Sequence, residues 1–421
     1  LIAFPTMKIK GNNYRGTLQA PGSKSHAQRL LLLACLSKKP SQITGFHRSA
    51  DNLSMLAALE QFGHEFQELD TTIMVQPSKH KSSHLKIDIG ESGFGLRTLA
   101  FVGNCFSESY QLQGQGTLKN REHWATIESL QKLGLEVVHQ EGKLPLQIKG
   151  KIKNFQLNLD GASGSQHLSG LFLLAAATNG TWQIRIENLK SAPYFEWTLR
   201  MLQDAGFQYE KQNNTYFFTG AQDLQLANTA VEGDWSSVAA HLVAAAISGE
   251  ILVDGLNPNS LQADQALLEI LTDFGAHIEW KQGKLLVSES AEKLPFHTNL
   301  TDCPDLFPVL VLLACASKEV CQISGISRLQ NKESDRLAVM SEALSAWDIP
   351  FEIKGDTISI HGKGKLPKAR LKSYHDHRIA MAISIASLIS EEGQELDDIT
   401  CLNKSYPGFY EDFQRLSASA F

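Results

Sequence analysis

The segment Pro21-Gly22-Ser23-Lys24-Ser25, followed by Arg29, places a lysine, hydroxyl groups and a guanidinium at the start of an apolar stretch. If that stretch is a helix, its first backbone N–H groups and the positive end of its dipole lie at the same point. Anions bind at such points, so the segment predicts a site for phosphate or carboxylate groups. It does not fit the P-loop pattern, which has a glycine directly before the lysine and an earlier glycine. A helix cap with an incidental lysine is the alternative for this segment taken alone.

A second charged cluster, Asn331-Lys332-Glu333-Ser334-Asp335-Arg336, opens another predicted helix. Glu333 and Asp335 alone would suit the positive end of a helix, as is common on protein surfaces. Lys332 and Arg336 are disfavoured at that end by the same dipole. We therefore interpret the cluster as a second anion site.

A third cluster, Asp376-His377-Arg378, enters a third apolar helix. His375 and His377 are possible metal ligands, but no third ligand stands near them in the sequence, so we predict neither a metal nor a cofactor. Lys404 precedes the last amphipathic stretch and, taken alone, is interpreted as a solvated lysine.

These clusters belong to a repeat with a period of about 70 residues. Each repeat opens with a small polar turn that leads straight into an alanine- and leucine-rich helix. The six openings are Ser23-Lys24-Ser25, Glu91-Ser92-Gly93, Ala162-Ser163-Gly164-Ser165, Asp234-Trp235-Ser236-Ser237, Cys303-Pro304-Asp305 and Tyr374-His375-Asp376-His377.

The elements that position these openings follow from hydrophobic spacing. A short strand follows each apolar helix, and then a second helix carries one buried stripe, as in Met55, Leu59 and Phe62. Several of these second helices should end at a glycine in the left-handed conformation; the glycines are Gly63, Gly134, Gly206 and Gly275. Each unit therefore reads β-α-β-α-β-β, with its first helix buried on nearly all sides.

Six units divide into two domains of three, with a boundary near Ala227 to Gly233. We expect one domain over 19–229 and the other over 1–18 together with 230–421. A first strand, Lys8 to Leu18, is expected to pair with the second half of the chain.

Composition excludes several classes of protein. The chain has 421 residues and a net charge of −6, which argues against a general nucleic-acid binder. Its apolar runs are too short to span a membrane, and Leu1 to Met7 lacks the features of a signal peptide. Its cysteines show no C-x-x-C pair, which favours a reducing compartment. We expect a cytoplasmic monomer.

Taken together, the motifs resemble the EPSP synthase (3-phosphoshikimate 1-carboxyvinyltransferase) family of enolpyruvyl transferases. The resemblance runs from about Thr17 to Phe413. The matching stretches are Ala20-Pro21-Gly22-Ser23-Lys24-Ser25 with Arg29, Ser92-Gly93 with Arg97, Lys119-Asn120-Arg121, Asp160-Gly161, Ser165-Gln166, Ser191 with Pro193-Tyr194, Gly233-Asp234 with Ser236-Ser237, Pro304-Asp305, Lys332-Glu333-Ser334-Asp335-Arg336, Asp376-His377-Arg378, and Lys404 before Pro407.

The resemblance implies an α/β fold of two similar domains, each of three βαβαββ repeats, called an inverse α/β prism, with the active site in the interdomain cleft. It also implies a reaction of the shikimate pathway of aromatic amino-acid biosynthesis. The enolpyruvyl group of phosphoenolpyruvate moves to the 5-hydroxyl of shikimate 3-phosphate, and phosphate leaves. Both partners are small molecules; no nucleic acid, membrane or metal is implied.

The resemblance also implies roles for individual residues. Shikimate 3-phosphate would be bound by Lys24, Ser25, Arg29, Ser165, Gln166, Ser191, Tyr194, Asp305 and Lys332. Phosphoenolpyruvate would be bound by Lys24, Gly93, Arg121, Gln166, Arg336, Arg378 and Lys404. The catalytic groups would be Asp305, Glu333, Lys24, His377 and Lys404. Among these, Asp305 is expected to take the hydroxyl proton, and Glu333 with Lys24 or Lys404 to handle the carbon proton.

Some positions depart from the family pattern. Gly164 stands where a serine is usual, and Ala192 where a lysine is frequent. Glu91, Phe94 and Thr98 replace the more usual Asn, Thr and Pro around Gly93; because Gly93 itself leaves space, we predict inhibition by glyphosate.

Two rival interpretations are weaker. The related enolpyruvyl transferase acting on UDP-N-acetylglucosamine has a Lys-Asn opening and a reactive loop cysteine, which lack good matches here. A non-catalytic repeat scaffold would use the openings only as caps. Such a scaffold does not explain the joint presence of Lys24, Asp305, Glu333, Arg336, His377, Arg378 and Lys404.

Overall fold

The structure of the chain is a computed structural model that describes residues 7–10, 13–76 and 84–417. Most of the predicted N-terminal segment Leu1 to Met7 lies outside these ranges. The contacts divide the chain into two compact units. The N-terminal unit is Gly22–Glu232, and the C-terminal unit combines the chain up to Pro21 with the chain from Gly233 onward. Each unit encloses its own apolar core.

Two short strands precede the N-terminal unit, where a single strand over Lys8 to Leu18 was expected. They are β1 (Met7–Ile9) and β2 (Tyr14–Gln19). The single strand was wrong, but the expected pairing with the second half of the chain is confirmed, because β1 pairs with Gln394–Leu396 and β2 with Gly249–Asp254.

The N-terminal unit contains three repeats and a final short strand. The first repeat is α1 (Lys24–Leu36), β3 (Ser41–Thr44), α2 (Ala50–Gln61), β4 (Glu65–Leu69) and β5 (Thr72–Gln76). The second is β6 (Leu85–Asp88), α3 (Gly93–Phe106), β7 (Ser109–Gln113), α4 (Trp124–Lys132), β8 (Glu136–Gln140) and β9 (Lys143–Lys149). The third is β10 (Gln156–Asp160), α5 (Gln166–Ala177), β11 (Thr181–Glu187), α6 (Ala192–Asp204), β12 (Glu210–Gln212) and β13 (Thr215–Thr219), and β14 (Thr229–Ala230) follows.

The C-terminal unit contains the other three repeats. The fourth is α7 (Trp235–Ser248), β15 (Gly249–Asp254), α8 (Leu267–Asp273), β16 (His277–Lys281) and β17 (Lys284–Ser288). The fifth is β18 (His297–Asn299), α9 (Phe307–Ala316), β19 (Val320–Ser324), α10 (Arg336–Ala346), β20 (Phe351–Lys354) and β21 (Thr357–His361). The sixth is β22 (Arg370–Leu371), α11 (His377–Ala386), β23 (Gln394–Leu396) and α12 (Phe409–Ser417).

The described residues form six sheets, of which five are four-stranded and share one plan. In β6-β7-β9-β8, β10-β11-β13-β12 and β18-β19-β21-β20, a parallel pair is followed by an antiparallel hairpin. The first and fourth repeats take their first strand from elsewhere in the chain, β14 and β2 respectively.

The sixth repeat departs from the predicted pattern. Its sheet, β1-β23-β22, has only three strands, and β1 from the start of the chain occupies the position of the final hairpin strand. The prediction of a full β-α-β-α-β-β unit is therefore wrong for this repeat.

The polar openings fix the start of the buried helices. Ser23, Ser92, Asp234 and Asp376 each accept a hydrogen bond from a backbone N–H of the first turn of the helix that follows. Such a cap contributes about 1 kcal/mol and holds the helix start in place. All ten residues of α9 are buried, as its apolar sequence predicts. Among the helices described, none is long and apolar enough to cross a membrane.

Two predictions about the second helices, one for the first repeat and one for the first four repeats, are confirmed. Met55, Leu59 and Phe62 are all buried, so the stripe faces the core. The four predicted terminal glycines all have positive φ, between 87° and 101°. Because glycine adopts this conformation without a steric penalty, each helix ends there and the chain turns into the next strand.

Candidate active site

Lys24 is the first residue of α1, directly after the capping Ser23. Its ammonium group lies 2.9 Å from a carboxylate oxygen of Asp51, in the first turn of α2. The Lys24 side chain is 16% exposed and that of Asp51 5%. Water screens this ion pair less than it screens a pair on the surface, so the attraction between the two side chains is stronger. Asp51 therefore restricts the position of this lysine.

Arg29 lies one turn further along α1 and is 2% exposed. Its guanidinium donates hydrogen bonds to Thr198 Oγ1 and to the carbonyl of Ser25, both at 2.8 Å, and to the carbonyl of Tyr194 at 3.2 Å. The structure therefore brings together three residues assigned to shikimate 3-phosphate.

Aromatic rings complete the surroundings of Arg29. The ring centroid of Phe94 lies 4.4 Å from the guanidinium carbon, that of Trp197 5.2 Å and that of Tyr194 5.9 Å. No carboxylate of the described ranges pairs with Arg29. Burial, partly opposed by Tyr194, lowers the pKa of Arg29 to about 10.

Gly93 begins α3 beside two guanidinium groups. A Cβ atom at this position would lie 3.1 Å from Nη1 of Arg97 and 3.4 Å from Nη1 of Arg121. Arg97 Nη1 also donates to Gln166 Oε1 at 2.7 Å. Three of the residues assigned to phosphoenolpyruvate thus lie around Arg97, whose own role the sequence interpretation missed.

The third repeat contributes two serines at helix starts. Ser165 precedes α5 and is 3% exposed, and Gly164 before it has a φ of +120°, a conformation that glycine adopts without strain. Ser191 precedes α6 with φ 54° and ψ 41°, and Ala192 begins that helix. A non-glycine residue in this conformation costs about 1–3 kcal/mol, and such residues cluster at ligand sites.

Two buried histidines lie in the field of Arg97. Burial and the charge of Arg97 lower the pKa of His123 to about 3 and that of His167 to about 4. Nε2 of His167, next to Gln166, has no hydrogen-bond partner within the described residues. Both imidazoles are therefore neutral at physiological pH.

Three carboxylates of the C-terminal unit meet at Arg336, the first residue of α10. Its side chain is 1% exposed and lies 2.8 Å from Asp376, 2.7 Å from Asp305 and 2.9 Å from Glu333. Burial alone would lower the pKa of Arg336, but the three carboxylates raise it above its usual value. The positive charge of Arg336 is thus balanced by carboxylates of the protein itself.

Asp305 also lies near two further cations. Lys332 Nζ is 3.4 Å away and Arg378 Nη2 is 3.7 Å away. Burial would raise the pKa of Asp305, but the surrounding cations outweigh it and hold the pKa well below the usual range. Its side chain is 35% exposed, against 16% for Glu333 and 0% for Asp376. Asp305 is therefore an ionised and accessible carboxylate.

Arg378, the second residue of α11, connects two helix openings. It donates to the carbonyl and the hydroxyl of Ser236 in the first turn of α7, the latter at 2.5 Å. Ser236 in turn donates to the capping Asp234 at 2.5 Å. The openings of the fourth and sixth repeats therefore share one hydrogen-bond network.

His377 and Lys404 are both buried. His377 begins α11 and is 2% exposed, with Nδ1 3.9 Å from Asp376. Lys404 is 7% exposed and ends a short 3-10 turn, Thr400–Lys404. The interpretation of Lys404 as a solvated lysine is therefore wrong, because the turn carries it into the protein.

The predicted helix start at Asn331 to Arg336 is wrong in its position. A 3-10 turn ends at Asn331, Lys332 to Ser334 form a loop, Asp335 caps the helix and only Arg336 belongs to it. The loop is what lets the cations and carboxylates of this segment face one another.

His375 does not approach a metal-binding arrangement. It is 76% exposed and its Nδ1 lies 3.4 Å from Asp398. Within the ranges that the structure describes, no group of three or more His, Cys, Asp and Glu side chains could hold a metal ion.

Comparison with known proteins adds to this geometry. The chain matches the family described as EPSP synthase (3-phosphoshikimate 1-carboxyvinyltransferase) over residues 9–413. A 3-phosphoshikimate 1-carboxyvinyltransferase of Clostridium acetobutylicum is 34% identical over 97% of each chain. One of Methanocorpusculum labreanum is 31% identical over 97% of this chain and 98% of the relative.

The chain belongs to the EPSP synthase family. Solved structures agree in fold: an EPSP synthase of Acinetobacter baumannii has a TM-score of 0.81 at 24% identity over 98% of each chain. The enolpyruvyl transferase NikO of Streptomyces tendae has a TM-score of 0.80 at 16% identity, over 99% of this chain and 98% of the other.

Family membership confirms the resemblance and the α/β fold that it implied. It also confirms the predicted activity, an enolpyruvyl transfer in the shikimate pathway, and with it an enzyme that acts on small molecules.

Several residues of these clusters were not assigned a role from the sequence. Arg97 could have been found, since a cation one turn after a helix opening shares its face. Asp51, Thr198 and Trp197 carry no such signal, because only the packing of α2 and α6 against α1 brings them to Lys24 and Arg29.

Proposed function

We propose that the cations at the helix openings bind the anionic groups of shikimate 3-phosphate and phosphoenolpyruvate, and that Asp305 and Glu333 handle the protons of the transfer. The observation that carries this proposal is the cluster around Arg336, where an ionised, accessible Asp305 and a less exposed Glu333 share one guanidinium. Two carboxylates in different surroundings suit two different proton transfers.

For shikimate 3-phosphate, the proposed ligands of the N-terminal unit are Lys24, Ser25, Arg29, Ser165, Gln166, Ser191 and Tyr194. The guanidinium of Arg29 supports this, since it is buried and is held by neutral groups. Asp305 and Lys332 of the C-terminal unit complete the proposed set.

For phosphoenolpyruvate, the proposed ligands are Lys24, Gly93, Arg121, Gln166, Arg336, Arg378 and Lys404. Support comes from Gly93, where two guanidinium groups lie close to a position without a side chain. Guanidinium groups bind carboxylate and phosphate through paired N–H donors, and they stabilise negative charge on a departing phosphate.

The chemistry requires one proton to be added and two to be removed. Protonation of the methylene carbon of phosphoenolpyruvate makes C2 an oxocarbenium-like electrophile, which the 5-hydroxyl attacks. Loss of phosphate and of one proton from the methyl group so formed then regenerates the methylene group and gives the enol ether. We assign the transfer of the proton to and from this carbon to Glu333, acting with Lys24 or Lys404. His377 is a further proposed catalytic group.

Asp305 is suited to accept the hydroxyl proton. Its low pKa keeps it ionised, so it does not serve as the acid. A weak base is sufficient at this step, because the hydroxyl becomes strongly acidic as its oxygen bonds to the electrophilic carbon.

Phosphate release from phosphoenolpyruvate, measured with and without shikimate 3-phosphate, tests the proposal. We expect release only with shikimate 3-phosphate and a fall of about 100- to 10,000-fold in Glu333→Gln and in Asp305→Asn. Glu352→Gln, an exposed glutamate paired with Lys354, is the matched control and should remain active.

The two carboxylates can be distinguished by hydrogen exchange. In deuterated water, exchange into the methylene group of phosphoenolpyruvate should be lost in Glu333→Gln and partly kept in Asp305→Asn. Undiminished turnover in Glu333→Gln would contradict the proposed site. Turnover that needs UDP-N-acetylglucosamine instead of shikimate 3-phosphate would show the sister activity.

A monomeric, cytoplasmic enzyme without a metal stays a prediction from the sequence. Activity that survives prolonged treatment with a chelator, together with a sedimentation mass of one chain, would support it.

A further inference from the structure

The guanidinium of Arg29 has spare hydrogen-bonding capacity. Of its five N–H donors, three are taken up by Thr198 and by the carbonyls of Ser25 and Tyr194. Among the described residues no partner takes the other two donors, one on each terminal nitrogen. A carboxylate or phosphate accepts two such donors at once.

The guanidinium also contacts aromatic rings that belong to two different helices. Phe94, from the first turn of α3, lies 4.4 Å from the guanidinium carbon, and Trp197, from α6, lies 5.2 Å away. Phe94 is 8% exposed and Trp197 3%. The face of an aromatic ring attracts a cation most strongly where water is excluded.

Rings hold a cation without neutralising it. A carboxylate in the same place would compete with an anionic ligand for the guanidinium. The lowered pKa of Arg29 is consistent with a buried cation whose charge no carboxylate balances. An anion that binds to Arg29 therefore interacts with a positive charge that no carboxylate already balances.

We infer that Phe94 and Trp197 are positioning residues, whose ring faces hold the Arg29 guanidinium in the orientation that receives an anionic group of shikimate 3-phosphate. This inference rests on the proposed function. It assigns a role to Phe94, which stands where the family more often has threonine, and to Trp197, which the sequence did not single out.

The first test is equilibrium binding of shikimate 3-phosphate by calorimetry, without phosphoenolpyruvate. Phe94→Leu keeps an apolar side chain but removes the ring, and should raise the Kd about tenfold, as expected for the loss of one desolvated cation–π contact. Phe94→Tyr keeps the ring face and should restore binding. In turnover, KM for shikimate 3-phosphate should rise in Phe94→Leu while kcat changes little.

The matched control is Phe101→Leu, a buried phenylalanine of the same helix for which no cation contact is seen among the described residues. It carries the same loss of buried volume but should leave the Kd unchanged. If Phe94→Leu raises the Kd no more than Phe101→Leu does, the inference is overturned.

A double-mutant cycle separates positioning from a general effect on packing. Arg29→Gln removes the cation, and adding Phe94→Leu to it should then cause no further loss of affinity. An equal loss in both backgrounds would show that Phe94 acts independently of Arg29 and would overturn the inference, while the proposed function would stand. Unchanged binding in Arg29→Gln would overturn both, because Arg29 would not be a ligand.

If Phe94→Leu does not fold, the second ring provides the same test. Trp197→Phe keeps a ring face and should bind normally, whereas Trp197→Leu should weaken binding of shikimate 3-phosphate by about threefold, since its ring is further from the cation. Equal affinities for these two variants would overturn the inference.

Discussion

Arg29 and Arg336 are both buried, but their surroundings are opposite. Arg29, in the N-terminal unit, is held by a hydroxyl, two carbonyls and three aromatic rings. Arg336, in the C-terminal unit, is held by three carboxylates. The pKa of Arg29 is lowered by burial, whereas that of Arg336 is raised because the carboxylates outweigh burial.

The difference separates two tasks of an anion-binding enzyme. A buried cation that no carboxylate balances attracts an anionic ligand strongly but contributes little to the stability of the fold. A cation matched by carboxylates stabilises the fold and organises groups for proton transfer. The proposed roles follow this division: the unbalanced charge of Arg29 would attract an anionic group of the substrate, and the carboxylates around Arg336 would act as acid–base groups.

The largest expected effect comes from exchanging each arginine for methionine. Arg336→Met removes the guanidinium that Asp305, Glu333 and Asp376 share and should lower the free energy of unfolding by about 3–5 kcal/mol. Arg29→Met leaves only neutral acceptors behind and should cost less, about 1–3 kcal/mol, although it removes a side chain of similar burial. Urea unfolding of both variants measures this. Equal losses would show that the two surroundings do not differ in energy.

The next effect concerns pH and His167. The folded-state pKa is about 4, lowered by burial and by Arg97 from a usual 6.5. Between these values the unfolded chain binds a proton that the folded chain does not, so the free energy of unfolding falls as the pH falls. One histidine contributes about 1.4 kcal/mol per pH unit in this window.

The same histidine should report on ligand binding. A bound anion near Arg97 favours the protonated imidazole, so shikimate 3-phosphate should raise the pKa of His167 in an NMR titration. In urea unfolding, His167→Leu should show a shallower loss of stability between pH 6.5 and 4. An unchanged slope in the variant would contradict the lowered pKa of His167, and an unmoved pKa with saturating ligand would contradict an anion bound near Arg97.

A smaller effect is expected at Gly93. A methyl group in Gly93→Ala would press on the flexible ends of Arg97 and Arg121 and displace them, raising KM for phosphoenolpyruvate about tenfold and weakening inhibition by glyphosate. Gly95→Ala is the comparison, because its Cβ would meet Ile89 in the core at 2.8 Å and should lower stability without this change in KM. Steady-state kinetics with varied phosphoenolpyruvate distinguishes the two outcomes.

The smallest effect is expected where an ion pair is exposed. Arg200 and Asp204 lie 3.0 Å apart on α6, with side chains 65% and 60% exposed. Arg200→Ala should change the free energy of unfolding by no more than about 0.5 kcal/mol, because water screens the pair. A loss as large as that of Arg336→Met would mean that burial is not what separates these arginines.

The repeats could be predicted because they are local in sequence. The apolar helices, their polar caps and the glycines after the second helices each follow from residues within one turn. The sixth repeat could not be predicted fully, because its third strand, β1, comes from the other end of the chain.

The sequence predicts a set of anion-binding residues, which stays a prediction, but it does not predict their charge balance. The sequence interpretation grouped Lys24, Arg29 and Arg336 together as cations at helix openings. Only the structure shows that Lys24 faces Asp51 and that Arg336 faces three carboxylates.

By itself, the sequence determined the repeat, the chemical type of each helix opening and the family. The tertiary structure alone decided which cations are balanced by carboxylates and which are held by aromatic rings. The physical reason is that periodicity and capping act within a few residues, whereas the charge state of a buried group depends on partners that folding brings from distant segments, such as Phe94 and Thr198 around Arg29.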